Sequence, residues 1–368
     1  MDRVKKKLGF GGMRFPMKDG KIDEAQVCQM VDEFIAAGFN YFDTAHGYHG
    51  GLSEVTLNHC LTSRHPREDY LLTNKLTDPY FQSQEDIRPF FEKQLELCGV
   101  EYFDFYLMHA QGKINYPKFQ RCKAYETAFE LKKEGKIRHV GLSFHDTADV
   151  LERILCDHPD VEVVQIQFNY NDYEDPAVQS RKVYEVCRKY DKPILVMEPV
   201  KGGSLAALPP DAAKVLDDLH GGSQASYALR FAAGFDGMLS VLSGMSNIEQ
   251  MRDNISFMSD LKPLNDTERA AIEKVCQIMH SKDLIPCTSC RYCIDGCPKN
   301  ISIPDLFSCM NSLSIYHGWN PGFYYNEVHT IGHGKASDCI KCGKCEKICP
   351  QHLPIRDLLV QVANEFEK

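Results

Sequence analysis

The stretch FNYFDTAHGY, residues 39–48, shows the pattern on which the first 258 residues are built. An apolar run rich in aromatic residues ends at a polar residue, Asp43, and a glycine-containing loop follows. Eight runs of this kind occur: LGFGGM from Leu8, FNYFDT from Phe39, YLLTNK from Tyr70, FDFYLMH from Phe103, RHVGLSF from Arg138, VVQIQFN from Val163, PILVMEP from Pro193 and GMLSVLSG from Gly237. Nearly continuous apolar runs are typical of parallel strands that are buried on both faces. The sequence therefore predicts eight parallel strands.

Amphipathic segments between these runs predict helices. Residues 23–37, 84–98 and 118–134 are each followed by a glycine, as expected where a helix ends in a left-handed residue. Eight strand–helix units favour an α/β fold of the (β/α)8 TIM-barrel type, for which about 250 residues is usual. A doubly wound open sheet is the alternative. It fits less well, because the glycines of LGFGG are not followed by a helix-forming run.

Polar side chains stand at the ends of three predicted strands. These are Asp43, Lys75 and His109, and Tyr48 follows in the loop after Asp43. The carboxyl ends of barrel strands meet at one face, where such barrels carry their chemistry. A free phenol has a pKa near 10, which is too high for efficient proton donation at neutral pH. A neighbouring ammonium should lower the pKa of Tyr48, because it stabilises the phenolate. Asp43 would hold the ammonium, and His109 would orient a substrate carbonyl.

These residues resemble the aldo-keto reductase family. The stretch NYFDTAHGY matches the family pattern that contains its Asp and Tyr, GLSEVTLNHCL from Gly51 resembles the run after that Tyr, and Lys75 and His109 complete the tetrad. The resemblance covers residues 8 to about 258. It implies nicotinamide-dependent reduction of a small carbonyl substrate, with Tyr48 as general acid.

The resemblance also implies a nicotinamide site. Its candidate residues are Ser143, Gln165, Met197, Ser243, Gly244, Met245, Ser246, Gln250 and Asn254. Gly244 and Gln250 stand where many members carry Lys and Arg for the 2′-phosphate of NADPH. The cofactor is therefore expected to be NADPH or NADH, with Lys201 or Arg252 as substitute phosphate ligands.

Two cysteine runs near the C-terminus have the spacing C-x2-C-x2-C-x3-C followed by proline, which is the bacterial ferredoxin signature. The runs are Cys287, Cys290, Cys293, Cys297 and Cys339, Cys342, Cys345, Cys349. Because the fourth cysteine of each run ligates the other cluster, the predicted [4Fe–4S] ligand sets are Cys287, Cys290, Cys293, Cys349 and Cys297, Cys339, Cys342, Cys345. Zinc sites use two CxxC pairs and fit poorly. The other eight cysteines are expected to be small packing residues.

The predicted organisation is a barrel at 1–258, a helical connector at 259–286, and a small α+β ferredoxin-like domain with two [4Fe–4S] clusters at 287–368. Asn265 or Asp266 is expected to cap the connector helix, and a helix at 355–366 closes the chain. The 41 residues between the cysteine runs include Trp319 and the stretch PGFYYN. Those aromatic residues either pack the core of the small domain or face a partner or the barrel mouth.

The formal net charge of −9 over 368 residues argues against nucleic acid and anionic membranes as partners. No apolar stretch reaches the ~20 residues that span a bilayer, and the first residues carry no signal sequence, so a cytoplasmic protein is expected. Three hypotheses are open for the fusion. The clusters exchange electrons with a ferredoxin or another redox protein, they are structural or redox-sensing, or the chain is an electron carrier with a catalytically silent barrel.

Overall fold

A computed structural model of the chain describes residues 1, 3–175, 178–280, 284–285, 287, 289, 291–316, 318–349 and 351–368. Its strands are β1 Leu8–Gly11, β2 Met17–Lys18, β3 Lys21–Ile22, β4 Tyr41–Asp43, β5 Leu71–Leu76, β6 Phe103–Gln111, β7 Ile137–Phe144, β8 Val163–Gln167, β9 Ile194–Met197 and β10 Met238–Ser243. All eight predicted strands are present. The short hairpin of β2 and β3 is an addition.

The strands other than β2 and β3 form a closed parallel barrel in the order β1-β10-β9-β8-β7-β6-β5-β4. The barrel is closed because β1 pairs with strands on both of its sides. Leu8 is opposite Val241 of β10, and Gly11 is opposite Asp43 of β4. The predicted TIM barrel is thereby confirmed over the doubly wound sheet. Glycine is required at the seam: a Cβ on Gly9 would lie 2.6 Å from the Leu242 side chain.

Helices surround the barrel and form the C-terminal part. They are α1 Glu24–Ala36, α2 Leu52–Leu57, α3 Ile87–Cys98, α4 Tyr116–Arg121, α5 Ala124–Lys133, α6 Ala148–Asp157, α7 Ser180–Lys189, α8 Pro210–Asp217, α9 Gln224–Ala233, α10 Ile248–Met258, α11 Asp266–His280, α12 Tyr292–Asp295, α13 Ile303–Tyr316, α14 Asn320–Phe323, α15 Lys344–Ile348 and α16 Ile355–Phe366. None of the described helices is long and apolar enough to span a membrane.

The predicted helix ends hold in most places. Gly38, Gly99 and Gly135 have φ of 84°, 65° and 83°, as the left-handed ends require. The single helix expected at 118–134 is wrong, because the chain breaks at Lys123, whose φ is 50°, and continues as α5. That break separates α4 from α5, which packs on β7.

The predicted connector helix is α11. Its cap is Asn265, whose Oδ1 accepts from the Glu268 backbone N–H at 2.9 Å, while Glu268 accepts from the Asn265 N–H at 2.9 Å. This reciprocal capping box satisfies two backbone donors. Buried Ile272 and Val275 of α11 pack with side chains of α8 and α9, so the helix lies on the outer layer of the barrel.

The C-terminal part is a small helical domain around buried Leu306, Phe307 and Tyr325. The strands expected in this domain are not found among its described residues, where the only β-pairing is one parallel bridge between Ile301 and Gly334. Helix α16 has the predicted bounds and packs on this core through Leu359 and Val362.

The scattered cysteines depart from the expectation at two places. Cys28 of α1 and Cys60, in the helical turn after α2, form a disulfide with their Cα atoms 4.4 Å apart, because the two helical segments pack side by side. Cys156 is exposed and does not pack. Cys98, Cys122, Cys187 and Cys309 are buried, as expected.

Candidate active site

The loop that carries Tyr48 is built from an unusual run of backbone conformations. His49, Gly50 and Gly51 have φ of 52°, 65° and 95°, a left-handed sequence in which glycine costs least. Behind the loop, buried Glu54 bonds to His46 Nδ1 at 2.6 Å and accepts from Asn74 Nδ2 at 2.7 Å. The turn and its buried carboxylate together fix the position of Tyr48 relative to β4 and β5.

Lys75 is the centre of the site. Its Nζ donates to Asp43 Oδ1 at 2.6 Å, to the Thr44 carbonyl at 2.9 Å and to the Tyr48 hydroxyl at 3.3 Å. The Lys75 side chain is fully buried, and that of Asp43 is 4% exposed. An ammonium has three donors, and all three are used here. The structure therefore brings three of the four predicted residues into one hydrogen-bonded unit.

The electrostatics of this unit differ from the sequence prediction at Tyr48. Burial raises the pKa of Tyr48, and the Lys75 ammonium only partly opposes that effect, so the pKa lies above its ordinary value rather than below it. Burial acts to lower the pKa of Lys75, but the Asp43 carboxylate and Tyr48 overcome it and raise the pKa. At neutral pH the pair is thus an ammonium beside a protonated phenol.

His109 completes the group. Its ring meets the Tyr48 ring edge to face with centroids 6.0 Å apart, and its Nδ1 lies 2.7 Å from Thr77 Oγ1. Burial lowers the pKa of His109 well below its usual range, and the charge of Lys75 adds to that effect. The imidazole is therefore neutral, and when Nδ1 accepts from Thr77 the ring proton is on Nε2.

Two of the predicted nicotinamide residues are held by protein groups. Gln165 Nε2 donates to Asp43 Oδ2 at 3.1 Å, and Ser143 Oγ accepts from the Ala110 backbone N–H at 2.8 Å. Gln165 thus binds the second oxygen of the carboxylate that anchors Lys75. Met197 ends β9 and is half-buried.

A cavity of about 740 Å³ opens beside these strand ends. Five of the predicted nicotinamide residues line it: Ser243, Gly244, Ser246, Gln250 and Asn254. Inside this group, Asn254 donates to Ser243 Oγ at 2.9 Å, and Gln250 Oε1 accepts from the Ser246 N–H at 2.8 Å. Met245 is different, because its side chain is buried in the barrel core.

Sequence reasoning missed two charged residues of this cavity, Arg14 and Glu198. Arg14 follows β1 and Glu198 follows β9, so a scan of all the strand ends would have found both. Burial raises the pKa of Glu198, and Arg14 opposes it. Glu198 Oε2 is buried and has no hydrogen-bond partner among the described residues.

The two cations proposed as phosphate ligands are engaged elsewhere. Lys201 Nζ lies 2.5 Å from Asp172 Oδ1 in a buried ion pair, and Arg252 binds Glu33 through two contacts of 2.8 Å and 2.7 Å. Neither lines the cavity, whereas Arg14 does.

The cluster cysteines surround two separate apolar cavities, each of about 330 Å³. One is lined by Cys297, Cys339, Cys342 and Cys345, and the other by Cys287, Cys293 and Cys349. Cys290 lies outside the described residues. Among the described residues no three His, Cys, Asp or Glu side chains converge as a single-ion site would require. The described cysteines that line each cavity all belong to one of the two predicted ligand sets.

Comparison with known proteins identifies the barrel. Residues 7–277 match the sequence model of the Aldo/keto reductase family. The chain belongs to the aldo/keto reductase family. It is an NAD(P)H-dependent oxidoreductase of that family, and residues 286–353 match a 4Fe-4S dicluster domain. The resemblance seen in the sequence is therefore confirmed for both parts.

Individual relatives of this aldo/keto reductase are distant. L-galactose dehydrogenase of Arabidopsis thaliana is 25% identical, covering 70% of this chain and 85% of its own. The NADH-specific methylglyoxal reductase of Escherichia coli is 27% identical, covering 66% and 86%. The structure of an aldo-keto reductase from Bacillus halodurans in its holo form has a TM-score of 0.60 at 25% identity, covering 74% of this chain and 92% of that one.

The iron–sulfur domain of this aldo/keto reductase sits on the barrel mouth. Phe323 meets the ring of His145, in the loop after β7, with centroids 5.5 Å apart. Ser308 of α13 donates to Asp175, in the loop after β8, at 3.2 Å. His145 is close enough to the tetrad that Lys75 helps to lower its pKa, to about 4, after the larger effect of burial. Within the PGFYYN stretch, Phe323 thus faces the barrel, and Tyr325 packs in the core of the small domain.

Proposed function

We propose that this chain reduces a small carbonyl compound with NADPH or NADH, using Tyr48 as general acid. The observation that supports it is the Lys75 ammonium, which bonds to both the Asp43 carboxylate and the Tyr48 hydroxyl in a buried site. A structural ion pair alone would need no phenol. Here the phenol is held in the loop after β4, beside a neutral imidazole. Glu198, which lines the cavity of about 740 Å³, is close enough to act to raise the pKa of Tyr48, after the larger effect of burial.

The chain's own residues act on the substrate oxygen, while a bound nicotinamide would supply the hydride to the carbonyl carbon. His109 donates a hydrogen bond to the carbonyl oxygen and orients it. The Tyr48 hydroxyl gives its proton to that oxygen as negative charge develops there, and an alkoxide is much more basic than a phenolate. Lys75 then stabilises the phenolate. Asp43 holds the Lys75 ammonium in place, and Gln165 holds the Asp43 carboxylate.

The residues around the cavity fit a nicotinamide dinucleotide. Arg14 supplies a positive charge for phosphate groups. Glu198 Oε2, which has no hydrogen-bond partner within the described part of the chain, is an acceptor for a hydroxyl or carboxamide donor. Ser243, Ser246 and Asn254 add polar contacts. A relative is named NADH-specific, and a Klebsiella pneumoniae aldo-keto reductase of the same fold was solved in complex with NADPH. The proposed cofactor is therefore NADPH or NADH.

We further propose two [4Fe–4S] clusters, held by Cys287, Cys290, Cys293, Cys349 and by Cys297, Cys339, Cys342, Cys345. Support comes from the two cysteine-lined cavities and from the apolar side chains Ile303, Phe307 and Leu359 that complete them. Electron exchange with a ferredoxin-like protein is the proposed role, and a purely structural role is the alternative. The domain bounds 1–258, 259–286 and 287–368 accompany this proposal.

The experiment is anaerobic turnover with NADPH and with NADH across a panel of small aldehydes and ketones, with the visible spectrum of the clusters followed at the same time. We expect a brown protein that oxidises one nicotinamide faster than the other. A brown protein that binds neither nicotinamide would instead support an electron carrier with a silent barrel, and would end the proposal of carbonyl reduction.

A further inference from the structure

The cavity lined by Cys297, Cys339, Cys342 and Cys345 lies close to the surface of the molecule. Cys342 itself is exposed, and Ile340, which lines the same cavity, is 57% exposed. The other cysteine cavity is lined by Phe307 of α13, the helix that contacts the barrel through Ser308. Ile303 borders both cavities. The first cavity, which we call the outward cavity, therefore has an exposed cysteine and an exposed isoleucine in its wall, whereas the second borders the helix that contacts the barrel.

The outward cavity is surrounded by positive charge. Lys299 and Lys344 line it, Lys341 stands between Ile340 and Cys342, and Lys347 lies one helical turn after Lys344. All four lysines are exposed, and none forms an ion pair with another described residue. We call these four lysines, with Ile340 and Cys342, the lysine face. Its basic character is notable in a chain whose formal net charge is −9.

The acidic residues nearby do not cancel this charge. Glu346 accepts from Arg356 Nε at 2.8 Å, so its carboxylate is already neutralised by a cation. Asp338 accepts from the Lys335 backbone N–H at 2.8 Å and caps the short helical turn before Cys339, so it keeps its charge but is a single carboxylate beside four lysines. A surface of four unpaired ammonium groups around an exposed isoleucine complements a partner with clustered carboxylates around an apolar centre.

We propose that the lysine face docks an acidic electron-carrier protein, which exchanges single electrons with the cluster held by Cys297, Cys339, Cys342 and Cys345. The proposal rests on the clusters of the proposed function and names the surface and the charge of their partner. The step is a transfer of one electron, in which one reduced cluster is oxidised and one oxidised carrier is reduced. No bond forms or breaks, and no proton needs to move.

The geometry explains why this cluster would be the point of exchange. Electrons leave a protein most readily where the redox group is near the surface, and the exposed Cys342 puts it there. The second cavity, separated from the first by Ile303, would then pass electrons between the lysine face and the α13 side of the domain. Unpaired surface charges raise the association rate of a complementary protein and are screened by salt.

The test uses the full chain, reduced by dithionite and freed of excess reductant, mixed anaerobically in a stopped-flow instrument with an oxidised acidic [2Fe–2S] ferredoxin as probe. The variant is Lys341→Glu/Lys344→Glu/Lys347→Glu. A matched control, Lys133→Glu/Lys182→Glu/Lys274→Glu, changes the net charge equally at exposed lysines of α5, α7 and the connector helix α11. Basic cytochrome c is the second probe, and iron content shows that the variants retain their clusters.

We expect the second-order rate constant with the ferredoxin to fall as salt rises, and to be at least about tenfold lower at low salt in the lysine-face variant. With cytochrome c the same variant should react faster than the unmodified protein. The barrel control should stay within about twofold for both probes. Equal slowing by both triple variants, or no slowing by either, would overturn the proposal, as would binding of the face to anionic vesicles or to a second copy of the chain without a change in rate.

Carbonyl reduction with the nicotinamide, measured on the same variants, separates this proposal from the proposed function. Unchanged turnover with lost ferredoxin exchange supports the lysine face. Absence of turnover in every variant would count against the barrel chemistry and leave the electron-exchange comparison intact.

Discussion

Tyr324 of the iron–sulfur domain donates from its hydroxyl to Oε1 of Gln167, the last residue of β8, at 3.0 Å in a buried contact. Gln167 in turn donates to Asp172 Oδ2 at 2.9 Å, and Asp172 forms the buried ion pair with Lys201. A single hydrogen-bonded chain therefore runs from the small domain into the loops around the barrel mouth. Together with the contact of Phe323 and His145, this chain of hydrogen bonds places the iron–sulfur domain against one side of the barrel mouth.

Replacing Tyr324 by Phe should weaken this junction. The change keeps the ring and leaves Gln167 Oε1 buried without its donor, which should lower the free energy of unfolding by about 1–3 kcal/mol. Anaerobic chemical denaturation, followed by the loss of cluster absorbance, measures it. Tyr292→Phe is the control, because that side chain is 57% exposed. Equal stability of the two variants would show that the hydrogen bond does not couple the domains.

Acid should destabilise the fold through His145 and His329. Burial is the main cause that lowers the pKa of each to about 4, whereas an unfolded histidine titrates near 6.5. Between these values the unfolded chain binds the proton and the folded chain does not, so stability is lost as pH falls from about 6.5 to about 4. The melting temperature of His145→Asn should vary less with pH over this range than that of exposed His352→Asn. Identical slopes would contradict the assignment.

The pH profile of carbonyl reduction should be flat on the alkaline side up to about pH 9. A general acid must be protonated, so the rate is lost as pH rises through its pKa, and burial raises the pKa of Tyr48 above its ordinary value near 10. The measurement is kcat/KM for an aldehyde between pH 6 and pH 10. A descending limb centred near pH 7 or 8 would mean that Lys75 dominates the phenol, as the sequence alone suggested.

The proposed ligand sets can be separated from the other cysteines by iron content. Cys342→Ala removes one thiolate from the outward cavity and should leave about four fewer iron atoms per chain. Cys156→Ala, at an exposed cysteine outside both cavities, should lose none. If the Cys342 variant keeps its full iron content, the proposed set is wrong. Retained carbonyl reduction in that variant would favour a structural or separate role for the cluster.

The sequence predicts the barrel well for a physical reason. Each strand is buried on both faces, so its apolar run is nearly continuous and stands out from the amphipathic helices. The proximity of Asp43, Lys75 and His109 could also be predicted, because each stands at the carboxyl end of a strand and the carboxyl ends of parallel strands meet at one face of a barrel. No knowledge of side-chain contacts was needed. The two cysteine runs can be recognised from their spacing alone. In the structure, the described cysteines of these runs line two cavities.

What the sequence does not show are partners that are distant along the chain. Arg252 is held by Glu33 and Lys201 by Asp172, so neither is available as the substitute phosphate ligand that was considered on the basis of the family resemblance. Gln165 turns to Asp43, and Met245 turns into the core. The direction of the Tyr48 pKa also depends on burial, which competes with the charge of Lys75 and is set by the whole fold.

The most direct test of the account is the turnover of Tyr48→Phe. The change removes only the hydroxyl bonded to Lys75, and Tyr80→Phe removes a hydroxyl from a neighbouring loop as the control. We expect kcat for aldehyde reduction to fall roughly 10²–10⁴-fold in the Tyr48 variant, with the dissociation constant for the nicotinamide within about twofold and the Tyr80 variant unaffected. Turnover by Tyr48→Phe at the rate of the unmodified protein would contradict the account.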